Sequence, residues 1–413
     1  MVYNLYEKKS HGGIEMIYEF SFENYRSYRK EATIDFTAKP INEFENSLLK
    51  VNDEEKLLPV CAIYGPNGGG KSSVIMALNE LRFIVMQPLI QLAFMKKKNE
   101  ELGETSILQL QEGLTDRHTF SSYYKFDDEC KDKPTKYNVL FQVDKYKYRY
   151  EFELNNENII ENLYMEEDGA VKAVFERDKE GVYLCEELEG IDIENMNESL
   201  PLFSYIAMLK NIPVIDRAMS FFMQIKVLNY DKPNVDRRIL VDRIENDKVR
   251  VCNVIQSMGI DICDIRVEYK EDGSIDEIYT IHELSSGEKK TLRLSEESGG
   301  TKKIISIIPI LLSGIEKNSL FLIDELDAKL HPLLLRKIIE LFTDREINSG
   351  TAQLLFTSHD LTTMSNDVLR RDEIWFSAIN GYDESVLYSL VDFRKEGGNK
   401  PRNDENYSKQ YME

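Results

Sequence analysis

Hydrophobic and polar positions alternate from Met16 onward as Ile17-Tyr18-Glu19-Phe20-Ser21-Phe22, and a second such run, Ala32-Thr33-Ile34-Asp35-Phe36, follows the polar stretch from Asn24 to Lys30. A period of two sends successive side chains to opposite faces of a pleated strand, so the two runs predict an opening hairpin. Residues 1–15 lack periodicity and contain His11-Gly12-Gly13; they are expected to form a mobile leader, with the folded part beginning at Met16. The continuous apolar run Val60-Cys61-Ala62-Ile63-Tyr64 predicts a buried strand. After Ser72 the apolar positions Val74, Leu78, Leu81 and Val85 fall three or four apart, which predicts a helix towards Met95, interrupted at Pro88 and ending in Lys96-Lys97-Lys98.

Tyr146-Lys147-Tyr148-Arg149-Tyr150-Glu151-Phe152 alternates strongly, so Tyr137 to Leu154 predicts antiparallel strands, whereas residues 200–230 read as helical. Residues 96–275 thus read as an inserted region, β-rich and then helical, between an N-terminal lobe at 16–95 and a C-terminal lobe at 276–395. No heptad pattern is sustained over several turns, so long coiled-coil arms are not expected. The last residues, 396–413, are polar and expected to be loosely held.

At 413 residues the chain exceeds what one hydrophobic core usually organises, and a core with an inserted subdomain or two domains is expected. A hydrophobic share of 42% with 30% charged residues is that of a soluble globular protein, and no uninterrupted apolar stretch approaches the roughly 20 residues that cross a bilayer. The N-terminus carries no signal-peptide pattern. Five scattered cysteines, Cys61, Cys130, Cys185, Cys252 and Cys263, have no metal-type spacing and read as reduced cytosolic thiols. The formal net charge of −21 disfavours nucleic acid as a partner, and residues 151–200 alone hold sixteen Asp or Glu against three basic residues, a solvated acidic face or a docking surface for a basic partner.

The chemistry is concentrated in Gly65-Pro66-Asn67-Gly68-Gly69-Gly70-Lys71-Ser72-Ser73, between the predicted strand and the predicted helix. The glycines let backbone N–H groups close around phosphates, Lys71 reaches the β- and γ-phosphates, and Ser72 ligates Mg²⁺ at a helix N-terminus whose dipole favours anions. Leu320-Phe321-Leu322-Ile323-Asp324-Glu325 is an apolar strand ending in two carboxylates, one suited to holding the metal and the other to deprotonating an attacking water. A third strand, Gln353 to Ser358, ends at His359, which is placed to meet a γ-phosphate.

These residues resemble the ATP-binding cassette (ABC) type ATPases, in the branch holding the SMC, RecF and OLD proteins. Phe22-Glu23-Asn24-Tyr25-Arg26-Ser27-Tyr28 is similar to that branch's opening Asn-Phe-Arg-Ser motif, and Asp324-Glu325-Leu326-Asp327-Ala328-Lys329-Leu330-His331-Pro332 to its Walker B and D-loop. The resemblance spans about residues 16 to 395 and implies an α/β ABC-ATPase head: a P-loop fold with a mixed sheet and an antiparallel β subdomain, plus an inserted α+β region. It implies ATP and Mg²⁺ as ligands, Asn24 and Arg26 among the nucleotide-binding residues, Asp324 on the metal, Glu325 as general base, Asp327 coupling two sites and His359 sensing the γ-phosphate.

The family's signature motif acts on the ATP of a second subunit, and two segments compete for it. Leu284-Ser285-Ser286-Gly287-Glu288-Lys289 is closer in letters, but an alternating segment follows it. Glu297-Ser298-Gly299-Gly300-Thr301-Lys302-Lys303 opens the apolar-periodic helix Ile304 to Ile315, and only a serine and glycines at a helix N-terminus present hydroxyl and N–H groups to phosphate. Ser298, Gly299 and Gly300 are therefore assigned to the signature, and Ser285 to Lys289 to a hairpin turn. Gln142 is read as a strand surface residue, not a Mg²⁺-sensing glutamine. Arg237-Arg238, Lys302-Lys303 and Arg370-Arg371 read as solvated pairs.

A composite site implies a homodimer sandwiching two ATP molecules, or a higher oligomer. The resemblance to small prokaryotic ATPases of the abortive-infection, Septu and PARIS kinds implies an anti-phage sensor or scaffold acting through a separate nuclease or toxin, in the cytoplasm and without a membrane. A RecF-like DNA-binding ATPase of DNA repair is the alternative.

Overall fold

Two sheets, not one, organise the chain. The structure, a computed structural model, describes residues 13–98, 122–155, 158–229 and 237–392. The expected leader up to residue 12, the tail after 392 and the side chains of Lys96 to Lys98 and of the pair Arg237-Arg238 lie outside what it describes.

The strands are β1 (Glu15–Glu23), β2 (Ala32–Asp35), β3 (Leu49–Lys50), β4 (Lys56–Leu57), β5 (Val60–Tyr64), β6 (Thr135–Val143), β7 (Tyr146–Leu154), β8 (Ile159–Glu167), β9 (Ala170–Arg177), β10 (Val182–Leu184), β11 (Ile225–Asn229), β12 (Ile262–Tyr269), β13 (Ile275–Glu283), β14 (Lys289–Arg293), β15 (Leu320–Asp324), β16 (Gln353–Thr357), β17 (Ile374–Ile379) and β18 (Ser385–Ser389). The helices are α1 (Lys71–Lys98), α2 (Leu202–Leu209), α3 (Pro213–Gln224), α4 (Arg237–Ser257), α5 (Gly299–Glu316) and α6 (Pro332–Thr343).

The first sheet is antiparallel, in the order β10-β9-β8-β7-β6-β1-β2, and the second runs β11-β15-β16-β5-β17-β18, parallel but for β18. β12-β13-β14 form a third, antiparallel sheet and β3-β4 a short ribbon. This is the mixed α/β architecture expected, and among the described residues no helix exceeds the 28 residues of α1. The opening hairpin is present as β1 and β2, with Phe20 opposite Ile34. The strands read as part of an insertion join β1 directly, with Phe20 opposite Val139.

The central parallel strands β15, β16 and β5 are largely apolar because both faces are covered. Cys61, Ile63, Leu322 and Leu355 face the antiparallel sheet with α1, α2 and α3, whereas Val60, Ala62, Tyr64, Ile323 and Phe356 face α4, α5 and α6. A bulge between Ile17 and Glu19 interrupts the β1 ladder, and Gln353 of β16 fills the gap. It accepts from the N–H of Ile17 at 2.7 Å and donates to the carbonyls of Ile17 and Leu58 at 3.1 and 3.0 Å, stitching the two sheets together.

Three expectations need correction. Pro88 does not interrupt α1, which runs through it: a proline costs about 3 kcal/mol in a helix interior, and burial of Val85, Leu89 and Leu92 at about 1.5–3 kcal/mol each offsets it. Residues 225–229 are not helical but form β11, paired in parallel with β15. The acidic segment 151–200 is not only a solvated face. Glu161 is fully buried, accepting from the N–H groups of Leu202 and Phe203 at 2.6 and 2.8 Å and from Tyr150 Oη at 2.9 Å, and so caps α2.

By length and composition Lys71–Met95 would also pass for a membrane span, the one such helix among the described residues. Glu80 and Arg82 interrupt it, and Val74, Leu78 and Leu81 are wholly inside the protein, so it is a core helix.

Candidate functional site

The order β15-β16-β5 brings three strand ends side by side. β5 delivers Gly65 and the phosphate loop, β16 delivers Thr357, Ser358 and His359, and β15 delivers Asp324 and Glu325.

Two positions of the loop admit only glycine. Gly65 (φ +156°) passes so close to β17 that a Cβ would lie 2.1 Å from the Ser377 carbonyl oxygen. Gly70 (φ +103°) is walled in by the hydroxyls of Ser385 and Ser27, at 2.5 and 2.9 Å from such a Cβ. Both conformations suit glycine alone. Ser377 Oγ donates to the Gly69 carbonyl at 2.7 Å and meets Tyr28 Oη at 2.7 Å, so β17 fixes the loop from beneath. Sequence reasoning gave Ser27 only as part of the opening motif, with no role, and missed Ser377 and Ser385, since nothing local marks residues that act by long-range packing.

Lys71 is buried, and its Nζ donates to the carbonyls of Gly65 and Pro66 at 2.8 and 3.1 Å. Burial pulls its pKa below the usual lysine value, opposed by the charges of Asp324, Glu325 and Asp327. Asp324 Oδ1 accepts from Ser72 Oγ at 3.0 Å and from Thr357 Oγ1 at 2.6 Å. A hydroxyl and a carboxylate so joined suit a small divalent cation, which takes oxygen ligands, and this donor set fits Mg²⁺.

Glu325 has a left-handed backbone (φ +49°), held by its N–H donating to Thr357 Oγ1 at 2.7 Å and by the Leu326 N–H donating to the Thr357 carbonyl at 3.0 Å. Thr357, wholly buried, therefore holds the Asp324 carboxylate and the Glu325 backbone together, a role the strand pattern does not reveal. Asp327 accepts from the His359 N–H with both oxygens at 3.2 Å, which leaves the exposed His359 imidazole unconstrained by that bond.

Ser298 stands at the N-cap of α5, its Oγ accepting from the Thr301 N–H at 3.1 Å, and Ser298 and Gly299 are exposed. Lys303 of the same helix reaches the Ala328 carbonyl, tying α5 to the turn after Glu325. Ser285 to Lys289, by contrast, include the hairpin turn between β13 and β14, with the Gly287 N–H donating to the Leu284 carbonyl at 2.8 Å.

With this geometry the comparison with known proteins is direct. The sequence model of the family described as "AAA domain, putative AbiEii toxin, Type IV TA system" matches residues 60–365, from the phosphate-loop strand past His359. The chain belongs to this family. No curated protein matches it. Among solved structures, the SMC head domain from Thermotoga maritima is similar at TM-score 0.43 and 13% identity, over 91% of this chain and 98% of that one. An SMC head bound to the C-winged helix domain of ScpA follows at 0.40 and 12%, over 91% and 97%. An SMC head with an extended coiled coil, bound to the C-terminal domain of ScpA and derived from Pyrococcus furiosus, gives 0.42 and 12%, over 91% and 96%.

In this AAA-domain protein the two assigned residues of the opening motif, Asn24 and Arg26, make contacts of their own. Asn24 is buried, and its amide donates to the carbonyls of Cys130, Lys133 and Pro134 at 2.9, 3.0 and 3.3 Å and accepts from the Tyr124 N–H at 3.1 Å. Those bonds engage its side chain in holding two loops. Arg26 lies over the Tyr25 ring, 5.8 Å from its centroid, and its charge acts on Glu80 of α1.

Gln142 is not a surface residue: it is buried, accepting from Tyr18 Oη and donating to the Asp144 carbonyl, both at 2.7 Å. Nor are two basic pairs solvated. Lys303 is buried as described, and Arg370 is wholly buried against Asp372, with its Nη2 at 2.8 Å from the carboxylate.

Proposed function

We propose that this protein is a Mg²⁺-dependent ATPase whose two chains close around two ATP molecules, and that closure governs a separate nuclease or toxin in prokaryotic defence against phage. The observation that carries the ATPase reading is the junction of Ser72, Asp324 and Thr357, which unites the phosphate loop with the carboxylate strand.

On this reading the N–H groups of the loop from Gly65 to Ser73 and the Lys71 ammonium bind the phosphates. Ser72 and Asp324 would hold Mg²⁺, which supplies charge neutralisation at the phosphate oxygens. Glu325 accepts a proton from the attacking water, and the left-handed turn at Glu325 sets the direction from which it does so. Asp327, bonded to the His359 backbone, couples the carboxylate turn to the residue that senses the γ-phosphate.

Ser298 and Gly299 are exposed at the α5 N-terminus, with Gly300 half-buried beside them, while the chain's own loop is served by Lys71, Ser72 and Asp324. That division supports the reading that the serine completes a site on another chain. The family's description as a putative toxin of a type IV toxin–antitoxin system supports a role in controlled toxicity.

Glu325→Gln should bind ATP, fail to hydrolyse it and accumulate as a dimer or larger assembly on gel filtration with ATP and Mg²⁺. A strictly monomeric elution would refute the two-chain site. Co-purification from the native host tests the effector.

A further inference from the structure

Glu297 stands one residue before the exposed serine of α5, yet its own side chain is buried. Its Oε1 meets Thr280 Oγ1 and, at 2.6 Å, His282 Nε2. Thr280 and His282 lie two apart on β13 and so share one face of the three-stranded sheet.

Glu297 and Ser298 are both extended, with φ, ψ of −65°, 158° and −60°, 156°. At these angles the chain is polyproline-like, with three residues per turn, so neighbouring side chains are turned about 120° apart. A carboxylate anchored inward at 297 therefore turns the hydroxyl at 298 outward. The anchor is selective, because a buried carboxylate deprived of its donors is costly and the segment has reason to hold one arrangement.

We infer that Glu297, gripped by Thr280 and His282, is a positioning residue that aims Ser298 at the ATP of the second chain, gearing the β12-β13-β14 sheet to the composite site. The inference rests on the two-chain reading above. It also gives His282, which the motif comparison left without a role, a place in the site.

Full-length Glu297→Ala should bind ATP as tightly as the parent, because its own phosphate loop is untouched, and hydrolyse it about tenfold more slowly or worse. Glu297→Gln, which keeps an acceptor oxygen for both partners, should restore most of the rate. Mixed with Glu325→Gln chains, which lack the base and retain the serine, Glu297→Ala should regain hydrolysis, since one site of the mixed dimer is then whole. A folding defect would lower ATP affinity and would not be complemented. Parent-like turnover by Glu297→Ala alone overturns the inference. So does failure of its mixture to recover when a Ser298→Arg and Glu325→Gln mixture does, and that result leaves the two-chain site standing. Failure of the Ser298→Arg mixture overturns the two-chain site itself.

Discussion

Glu373 is a carboxyl group with almost no access to water, sitting at the head of β17 among Arg370, Asp372 and Glu43. Burial pushes its pKa from 4.5 up to about 8, partly opposed by the hydrogen bond from the Arg370 N–H. Below pH 4.5 the group is protonated in both folded and unfolded chains and its burial carries no ionisation cost. Between pH 4.5 and about 8 only the unfolded chain releases the proton, so stability falls across that window and levels off above it. Glu15, raised to about 7 chiefly by burial, adds to the same trend. Urea midpoints measured from about pH 5 to 8 should decline in the parent. Glu373→Gln should flatten that decline, and an unchanged slope would show that the carboxyl is not the titrating group. Single residues of this kind are where the sequence is least informative. Arg370-Arg371 looks like any solvated pair until Asp372 and the Glu43 side chain close on it, Arg371 Nε reaching Glu43 Oε1 at 2.7 Å across more than 300 residues of chain.

Elements whose periodicity is local were legible, and elements made by distant pairing were not. The phosphate loop, the carboxylate strand and the cap of α5 announce themselves through glycine spacing, an apolar run and a serine before a helix. β11 does not, because Ile225 follows Gln224 of α3 with no glycine or proline between them, and only β15 makes it a strand. Helix position also decides between the two signature candidates. Ser298→Arg should abolish ATP turnover while Ser285→Arg, in an exposed hairpin turn, should leave it near the parent level; a steady-state assay of both variants with the reverse result would move the signature to the hairpin. Within the loop the glycines differ in kind. At Gly68 (φ +78°) a Cβ would meet nothing within 4 Å, so Gly68→Ala carries only the backbone penalty of about 1–2 kcal/mol. Gly65→Ala must displace the backbone of β17 as well, and it should lower the melting temperature further and abolish ATP binding, both readable from thermal melts with and without nucleotide.

Across the whole molecule the net charge of −21 sets the terms for partners. DNA affinity that requires ATP and falls steeply with salt would favour a repair ATPase. An acidic defence scaffold should show weak binding with little salt slope in a titration across salt concentrations. The fold also has an order of manufacture. The phosphate loop leaves the ribosome early, but the surface that shapes it, Ser377 under Gly65 and Gly69 and Ser385 beside Gly70, is encoded some 310 residues later. At about 5–20 residues per second that interval lasts on the order of tens of seconds. A half-made chain thus exposes the glycine-rich loop without the strands that give it form, and the loop takes its shape only once β17 and β18 have been synthesised. Chains cut short before β17 should be silent rather than deregulated.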